Sequence, residues 1–390
     1  HGLSAFFNSF RDLPALWRHV ALVETGPLPE TAAEPPPIVC KPGEKPPHIV
    51  LFLSESTMPP GVYPNLPFPE ETKPFFTSAD GAIRRLRVET FGGATWLTDF
   101  ASLTGLSTRD LGSMYNFVMP FMTGRLRHAL PQYLSACGYD TSVIYPVPGE
   151  FGGTGRFYKS VGFDTVVDQH LHKAPTDQER DAFYYGQAIK RIEAGRAAGR
   201  PQFVALSSMG THAPWDFRLD PKALKPGERK TWTGDAEMDE YFWRLVLAAR
   251  DREAFKKELA AKFPGEKFLI VAYGDHQPAL KKLPLRDAAE MAGDGKWTEL
   301  SPVAKAFETY YQIDGVNYAP KLTKDDGRIL DISNLSTVLI EAARLPRDEY
   351  VERRLELLKV CNGLYATCGD RQAVVDFQTW MVARGWLAGK

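Results

Sequence analysis

Only four cysteines are spread over the 390 residues, too few for a disulfide scaffold, and neither CxxC nor a Cys/His zinc-finger spacing occurs. Cys361 and Cys368 bracket the stretch CNGLYATC, whose Asn-Gly turn can bring the two thiols together, and such a local disulfide would indicate an oxidising compartment. The spacing of Cys40 and Cys137 leaves open whether they are free or paired. Excess charge is also missing: Lys+Arg number 47 against 48 Asp+Glu. Without a polycationic signature, nucleic acid is excluded as the main partner. No apolar run is long enough to span a bilayer. With 44% hydrophobic and 24% charged residues, the composition is that of a soluble globular protein with a large core. The first residue is His1 rather than Met, so the chain is expected to be a processed or truncated piece with any membrane segment upstream. Internal repeats are absent.

Between Gly2 and Val20, Leu3, Phe6, Phe7, Phe10, Leu13, Leu16 and Trp17 fall near helical spacing with Arg11, Arg18 and His19 between them. That pattern suits an interfacial membrane helix or one docked on the domain. From Pro27 to Pro47 proline is too frequent for helix or central strand, and the stretch reads as an extended stalk. The expected division is therefore residues 1–45 as juxtamembrane segment and stalk, and 46–390 as one catalytic domain. Within it, apolar runs at 48–54, 202–207 and 268–272 read as strands buried on both faces, with further strands at 82–89, 141–145, 309–313 and 329–332. Helical stretches are expected at 96–106, 125–137, 176–197, 235–262, 335–343, 349–358 and 371–384. Alternating strands and helices predict an α/β fold with a mostly parallel central sheet and helices on both faces.

Ligands of such sheets bind beyond the carboxyl ends of the strands, where Glu55, the pair Asp275 and His276, and the Thr211-His212-Ala213-Pro214 segment follow three of the buried runs. Oxygen and imidazole donors suit a divalent cation. Thr95 follows Gly92 and Gly93 at the expected N-terminus of a helix. A threonine hydroxyl needs help to ionise, and a cation held by Glu55, Asp275 and His276 would provide it. Backbone N–H groups at the helix start would face a phosphoryl oxygen. Such a site fits phosphoryl transfer.

The ordered motifs PHIVLFLSES, FGGATWLTDFASLTGLS, SSMGTHAPW and FLIVAYGDHQP resemble the extracytoplasmic domain of lipoteichoic acid synthases and related phosphoglycerol transferases of the alkaline phosphatase and sulfatase superfamily. The resemblance spans residues 46–345, and YFWRLVLAARDREAFKKEL and TYYQIDGVN add weaker matches. It implies Thr95 as nucleophile, Glu55, Thr95, Asp275 and His276 as metal ligands, and His212 as a catalytic residue that contacts substrate. The implied cofactor is one divalent cation, manganese first, with magnesium or zinc as alternatives. The implied reaction moves a phosphoglycerol-type head group from a phospholipid donor to a glycan or lipid acceptor through a phospho-threonine, on the periplasmic face of an inner membrane reached by an upstream segment. Arg156 matches the family's phosphate-binding arginine but stands nearer Tyr158 than the family pattern has it, and Trp96 makes the pocket beside the nucleophile more apolar. A phosphodiesterase or sulfatase-type hydrolase of the same superfamily is the alternative. Its arylsulfatase version lacks support, because the Cys-or-Ser-x-Pro-x-Arg signature is absent. Asp168, His170 and His172 have ligand-like spacing and read as a surface or strand-end cluster.

Overall fold

Three strands with no exposed residue, β1 (His48–Ser54), β5 (Gln202–Ser207) and β6 (Phe268–Gly274), lie side by side at the centre of the fold. The computed structural model describes residues 23–28, 33–224, 228, 230–283 and 305–388. The amphipathic stretch 2–20 lies outside them. Around the central strands, β2 (Arg84–Arg87), β3 (Asp140–Ile144), β4 (Thr165–Val167), β7 (Glu308–Val316) and β8 (Ile329–Asp331) complete an eight-stranded sheet in the order β4-β3-β5-β1-β6-β7-β2-β8. Five neighbouring pairs are parallel and two, β6/β7 and β7/β2, are antiparallel. The expected α/β architecture with a mostly parallel sheet is what forms.

Side chains alternate between the two faces of each strand, so each central strand supplies both cores. Leu51, Leu53, Phe203, Val271 and Tyr273 pack against α1 (Thr95–Thr104), α2 (Leu130–Ala136), α3 (Thr154–Ser160) and the C-terminal helices α6 (Leu335–Ala342), α7 (Glu349–Val360) and α8 (Arg371–Ala383). Val50, Phe52, Val204, Ile270 and Ala272 pack against α4 (Asp181–Arg196) and α5 (Ala236–Lys262). Each central strand thus needs apolar residues at consecutive positions, which is why these runs are unbroken.

The proline-rich stretch has no helix or strand at 33–47, and it is fastened to the domain. Cys40 is disulfide-bonded to Cys137 at the end of α2, and the Pro36 carbonyl accepts from Trp386 Nε1 at 3.4 Å. Cys361 and Cys368 form the second disulfide, so no cysteine is free. Among the described residues no helix is long and apolar enough to cross a membrane.

Candidate active site

The strand register brings the first two site residues together. Ser54 is paired with Gly274 across the parallel β1/β6 ladder, so the residues that follow, Glu55 and Asp275, leave the sheet side by side. Gly274 has to be glycine, because a Cβ there would lie 2.7 Å from Thr57 Oγ1 and 2.9 Å from the Thr57 carbonyl oxygen. Ser56 adopts a left-handed φ of 50° directly after Glu55, an uncommon conformation for a residue with a side chain. Its N–H donates to Asp275 Oδ1 at 2.8 Å and its hydroxyl to Glu55 Oε1 at 2.8 Å.

Thr95 enters from the neighbouring loop. Gly92, at φ 67°, donates its N–H to the Gln277 carbonyl at 3.2 Å, and a Cβ on it would meet the Ala279 methyl at 2.8 Å. The two loops therefore pack backbone to backbone. Ala94, at φ 62°, then turns the chain into α1, of which Thr95 is the first residue and for which no side chain caps the N-terminus. Thr98 fixes the helix from one turn on, donating to the Asp275 carbonyl at 2.7 Å. As a result Thr95 Oγ1 lies 3.0 Å from Glu55 Oε2 and 3.5 Å from His276 Nε2.

His276 closes the cluster. Its Nε2 is 3.3 Å from Glu55 Oε1 and 3.1 Å from Asp275 Oδ2, while Nδ1 faces the Gln277 carbonyl at 3.0 Å. Gln277 is itself immobilised by Tyr63, whose hydroxyl donates to Oε1 at 2.7 Å, and by its own donation to the Glu308 carbonyl at 2.6 Å. Burial works against the Glu55 carboxylate, but the His276 imidazole and its hydrogen bond, with help from His212, outweigh it and bring the carboxyl down to about 2. Burial and the charge of Glu55 push Asp275 up to about 8. His276 rises to about 9, since the two carboxylates overcome the burial that disfavours its charge. Without a cation, the cluster therefore holds protons at neutral pH.

These residues fit a divalent cation. One ligand atom from each of Glu55, Asp275 and His276 lies within 4.8 Å of the others. Asp275 Oδ2 is buried, accepts no well-formed hydrogen bond and has His276 Nε2 opposite it at 3.1 Å; a buried carboxylate oxygen needs positive charge there, which a cation would supply once the imidazole is neutral. With Nδ1–H given to a carbonyl, His276 keeps Nε2 as the lone-pair atom facing the same point. Thr95 Oγ1 adds a fourth donor atom, the third oxygen, at hydrogen-bond range.

The other expected site residues surround this core. His212 is half-buried after β5, with Nδ1 against the Ala213 carbonyl, and it is close enough for its charge to lower Glu55. Thr211, not singled out from sequence, donates its hydroxyl to the Glu55 carbonyl and so ties this loop to the Glu55, Asp275 and His276 cluster. Trp96 donates Nε1 to the Asn116 carbonyl at 3.1 Å and meets the exposed Phe151 edge-on, ring centroids 6.3 Å apart. Arg156 sits on α3 rather than in a loop, exposed and without an ion pair among the described residues. Asp168 caps a short helix, accepting from Leu171 N at 3.3 Å, and its cluster with Glu150 and His170 is largely exposed. His172 turns away from it, with Nε2 3.1 Å from the Tyr145 carbonyl.

A family profile described as Sulfatase matches residues 47–337. The chain belongs to the sulfatase family. This sulfatase-family chain is 24% identical over 357 residues to an uncharacterized protein of Haemophilus influenzae, covering 87% of the chain and 61% of that protein. It is 26% identical over 144 residues to lipoteichoic acid synthase 1 of Bacillus subtilis, covering 36% of the chain and 21% of the synthase. The chain thus spans less than two thirds of the length of these relatives. Among solved structures it is similar in fold to the Streptococcus pyogenes phosphoglycerol transferase GacH in complex with sn-glycerol-1-phosphate, with TM-score 0.62 and 17% identity over 88% of this chain and 87% of that one. The membership expected from the four ordered motifs is met.

Proposed function

We propose that this chain is the catalytic domain of a metal-dependent phosphotransferase that moves a phosphoglycerol-type head group from a phospholipid to a glycan or lipid acceptor. One observation carries the reading: a threonine hydroxyl at an uncapped helix N-terminus lies 3.0 Å from a buried carboxylate in a three-ligand cluster. Likeness of fold to the phosphoglycerol transferase GacH, beside the sequence match to lipoteichoic acid synthase 1, supports the choice of head group. When bound, the cation, manganese in our reading with magnesium or zinc as alternatives, supplies positive charge at the Thr95 oxygen and the phosphoryl group.

The chain's own residues then have defined tasks. Thr95 Oγ1 passes its proton to Glu55 Oε2, to which it already points, and forms the new O–P bond while the bond from phosphorus to the lipid oxygen breaks; when the acceptor oxygen displaces Thr95 from phosphorus, Thr95 takes the proton back. N–H groups of the first turn of α1 receive the phosphoryl oxygens. His212 has Nδ1 engaged by a backbone carbonyl, which leaves Nε2 to give a proton to the departing lipid oxygen and later to take one from the acceptor hydroxyl. Arg156 and Trp96 border the substrate, the guanidinium for phosphate and the indole for an apolar portion. Two disulfides support placement in an oxidising compartment, which we assign to the periplasmic face of an inner membrane, with residues 1–45 as the connection to an upstream membrane segment.

The test is product identification. The protein, joined to its membrane part, is incubated with manganese and a phospholipid labelled separately in head group and acyl chains. Release of diacylglycerol with head-group label on a larger acceptor is expected. Release of free glycerol phosphate alone would make the enzyme a hydrolase, and an unconsumed lipid would overturn the assignment.

A further inference from the structure

The helix α5 carries the motif YFWRLVLAARDREAFKKEL, and nothing in the proposed reaction uses it. Its arginine Arg244 is 1% exposed, although no metal ligand or nucleophile lies on the helix. The guanidinium is instead a fork aimed at the loop beyond β5. Nη1 donates to the His212 carbonyl at 2.7 Å and Nη2 to the Phe217 carbonyl at 2.8 Å. Nε is held by Glu240 at 2.9 Å, one helical turn earlier, and the same Glu240 oxygen accepts from Leu219 N at 3.2 Å. The Phe217 ring covers the group at 4.9 Å from its centroid.

A second clamp acts on the same carbonyl. Gln178 Nε2 donates to the His212 carbonyl at 2.5 Å and to the Met209 carbonyl at 3.2 Å. Trp215 Nε1 binds the Thr211 carbonyl at 3.0 Å, and Thr211 binds the backbone of Glu55. The loop between Ser208 and Leu219 has no helix or strand of its own, so these side-chain contacts stand in for a ladder. The His212 carbonyl is the point on which two of them converge.

We propose that Arg244 is a positioning residue that acts through His212, setting the distance of its imidazole from the Thr95 and Glu55 pair; this rests on the proton-transfer role given to His212 above. A planar fork spans two carbonyls at once, whereas a lysine at the same place reaches one. Misplacement of about 1 Å at a group that handles the reacting proton slows turnover on the order of 100-fold.

The experiment compares Arg244→Lys in the wild-type and His212→Ala backgrounds, with phosphatidylglycerol micelles and manganese. In the wild-type background kcat is expected to fall about 100-fold with manganese affinity by calorimetry unchanged, because the clamp does not touch the cation cluster. In His212→Ala the same substitution is expected to change kcat by less than about twofold, since the two act as a unit. An equal loss in both backgrounds, or a loss that follows falling manganese affinity, overturns the proposal. A readout independent of turnover is the imidazole ¹H–¹⁵N spectrum, in which His212 is assigned by its disappearance in His212→Ala. Arg244→Lys should move the His212 signals and leave those of His48 and His128 in place. If the wild type consumes no phosphodiester, the functional reading fails while this spectrum still decides the inference: unmoved His212 signals overturn it. Glu240→Gln provides a second, milder variant expected to act in the same direction.

Discussion

Thr95 Oγ1 donates to Glu55 Oε2 at 3.0 Å across 40 positions of sequence. The contact exists because β1 ends one residue before Glu55, and α1 begins at Thr95 three residues after Gly92, which packs against Ala279. Thr95→Ala removes this hydroxyl and no packing of consequence. Turnover should fall to background, while stability measured by urea unfolding should change by about 1 kcal/mol, the worth of one hydrogen bond. A loss of several kcal/mol would mean that Thr95 is structural.

Asp275 has one oxygen bound to two backbone N–H groups and the other facing His276 Nε2 at 3.1 Å. Asp275→Asn keeps the shape and removes the charge. Manganese binding by calorimetry should then weaken at least about tenfold, and activity should fall with it. Crystals soaked in manganese should show an anomalous peak between Glu55, Thr95, Asp275 and His276. A peak only elsewhere would reject the site.

Metal-free protein should lose stability as pH rises. Asp275 is raised from 3.8 to about 8 and His276 from 6.5 to about 9, so the folded state binds more protons than the unfolded chain from roughly pH 4 to 9. Stability from these two groups is complete below their unfolded values and is lost as pH climbs through the folded ones. Glu55, lowered to about 2, acts in the opposite sense and below this window. The melting temperature of chelator-treated protein is therefore expected to drop between about pH 4 and 9, with manganese affinity rising over the same range as bound protons are displaced. Affinity that is flat with pH would contradict the proton-filled cluster.

Cys40–Cys137 closes a loop of 97 residues and fastens the irregular proline-rich segment to α2. Replacing both cysteines by serine should cost about 2–5 kcal/mol in unfolding experiments, more than the same change at Cys361 and Cys368, which are 7 apart. Equal effects would show that loop length does not govern these bridges.

Much of the site was legible because strands buried on both faces announce themselves as unbroken apolar runs, and the polar residues that end them mark one edge of the sheet. Glu55, Asp275 and His276 were accessible on that ground, Thr95 as the start of a helix after Gly92 and Gly93, and the order of the motifs joined them. Helix boundaries were harder. The helix expected over 125–137 starts only at Leu130, where Pro131 fits the first turn and Ala129 is still extended. No side chain caps the start of α3 after Gly152 and Gly153, so nothing in the sequence marks the helix that carries Arg156. Strand β4 is three residues long and too short to leave a period. Arg244 was invisible because α5 is buried on nearly every side between Met238 and Arg252. With no polar face to contrast against, a functional arginine looks like any other charge on a long helix. His172 had the spacing of a ligand, yet its partner is a backbone carbonyl, which spacing cannot reveal.

The proposed reaction turns on Thr95 Oγ1, the atom that receives the phosphoryl group. Peptide mass spectrometry after brief exposure of the manganese-loaded protein to phosphatidylglycerol tests it directly. A glycerol phosphate adduct on the peptide containing Thr95, absent in Thr95→Ala, is the predicted result. Full turnover in Thr95→Ala, with no adduct on the wild type, would contradict it and assign the attack to water.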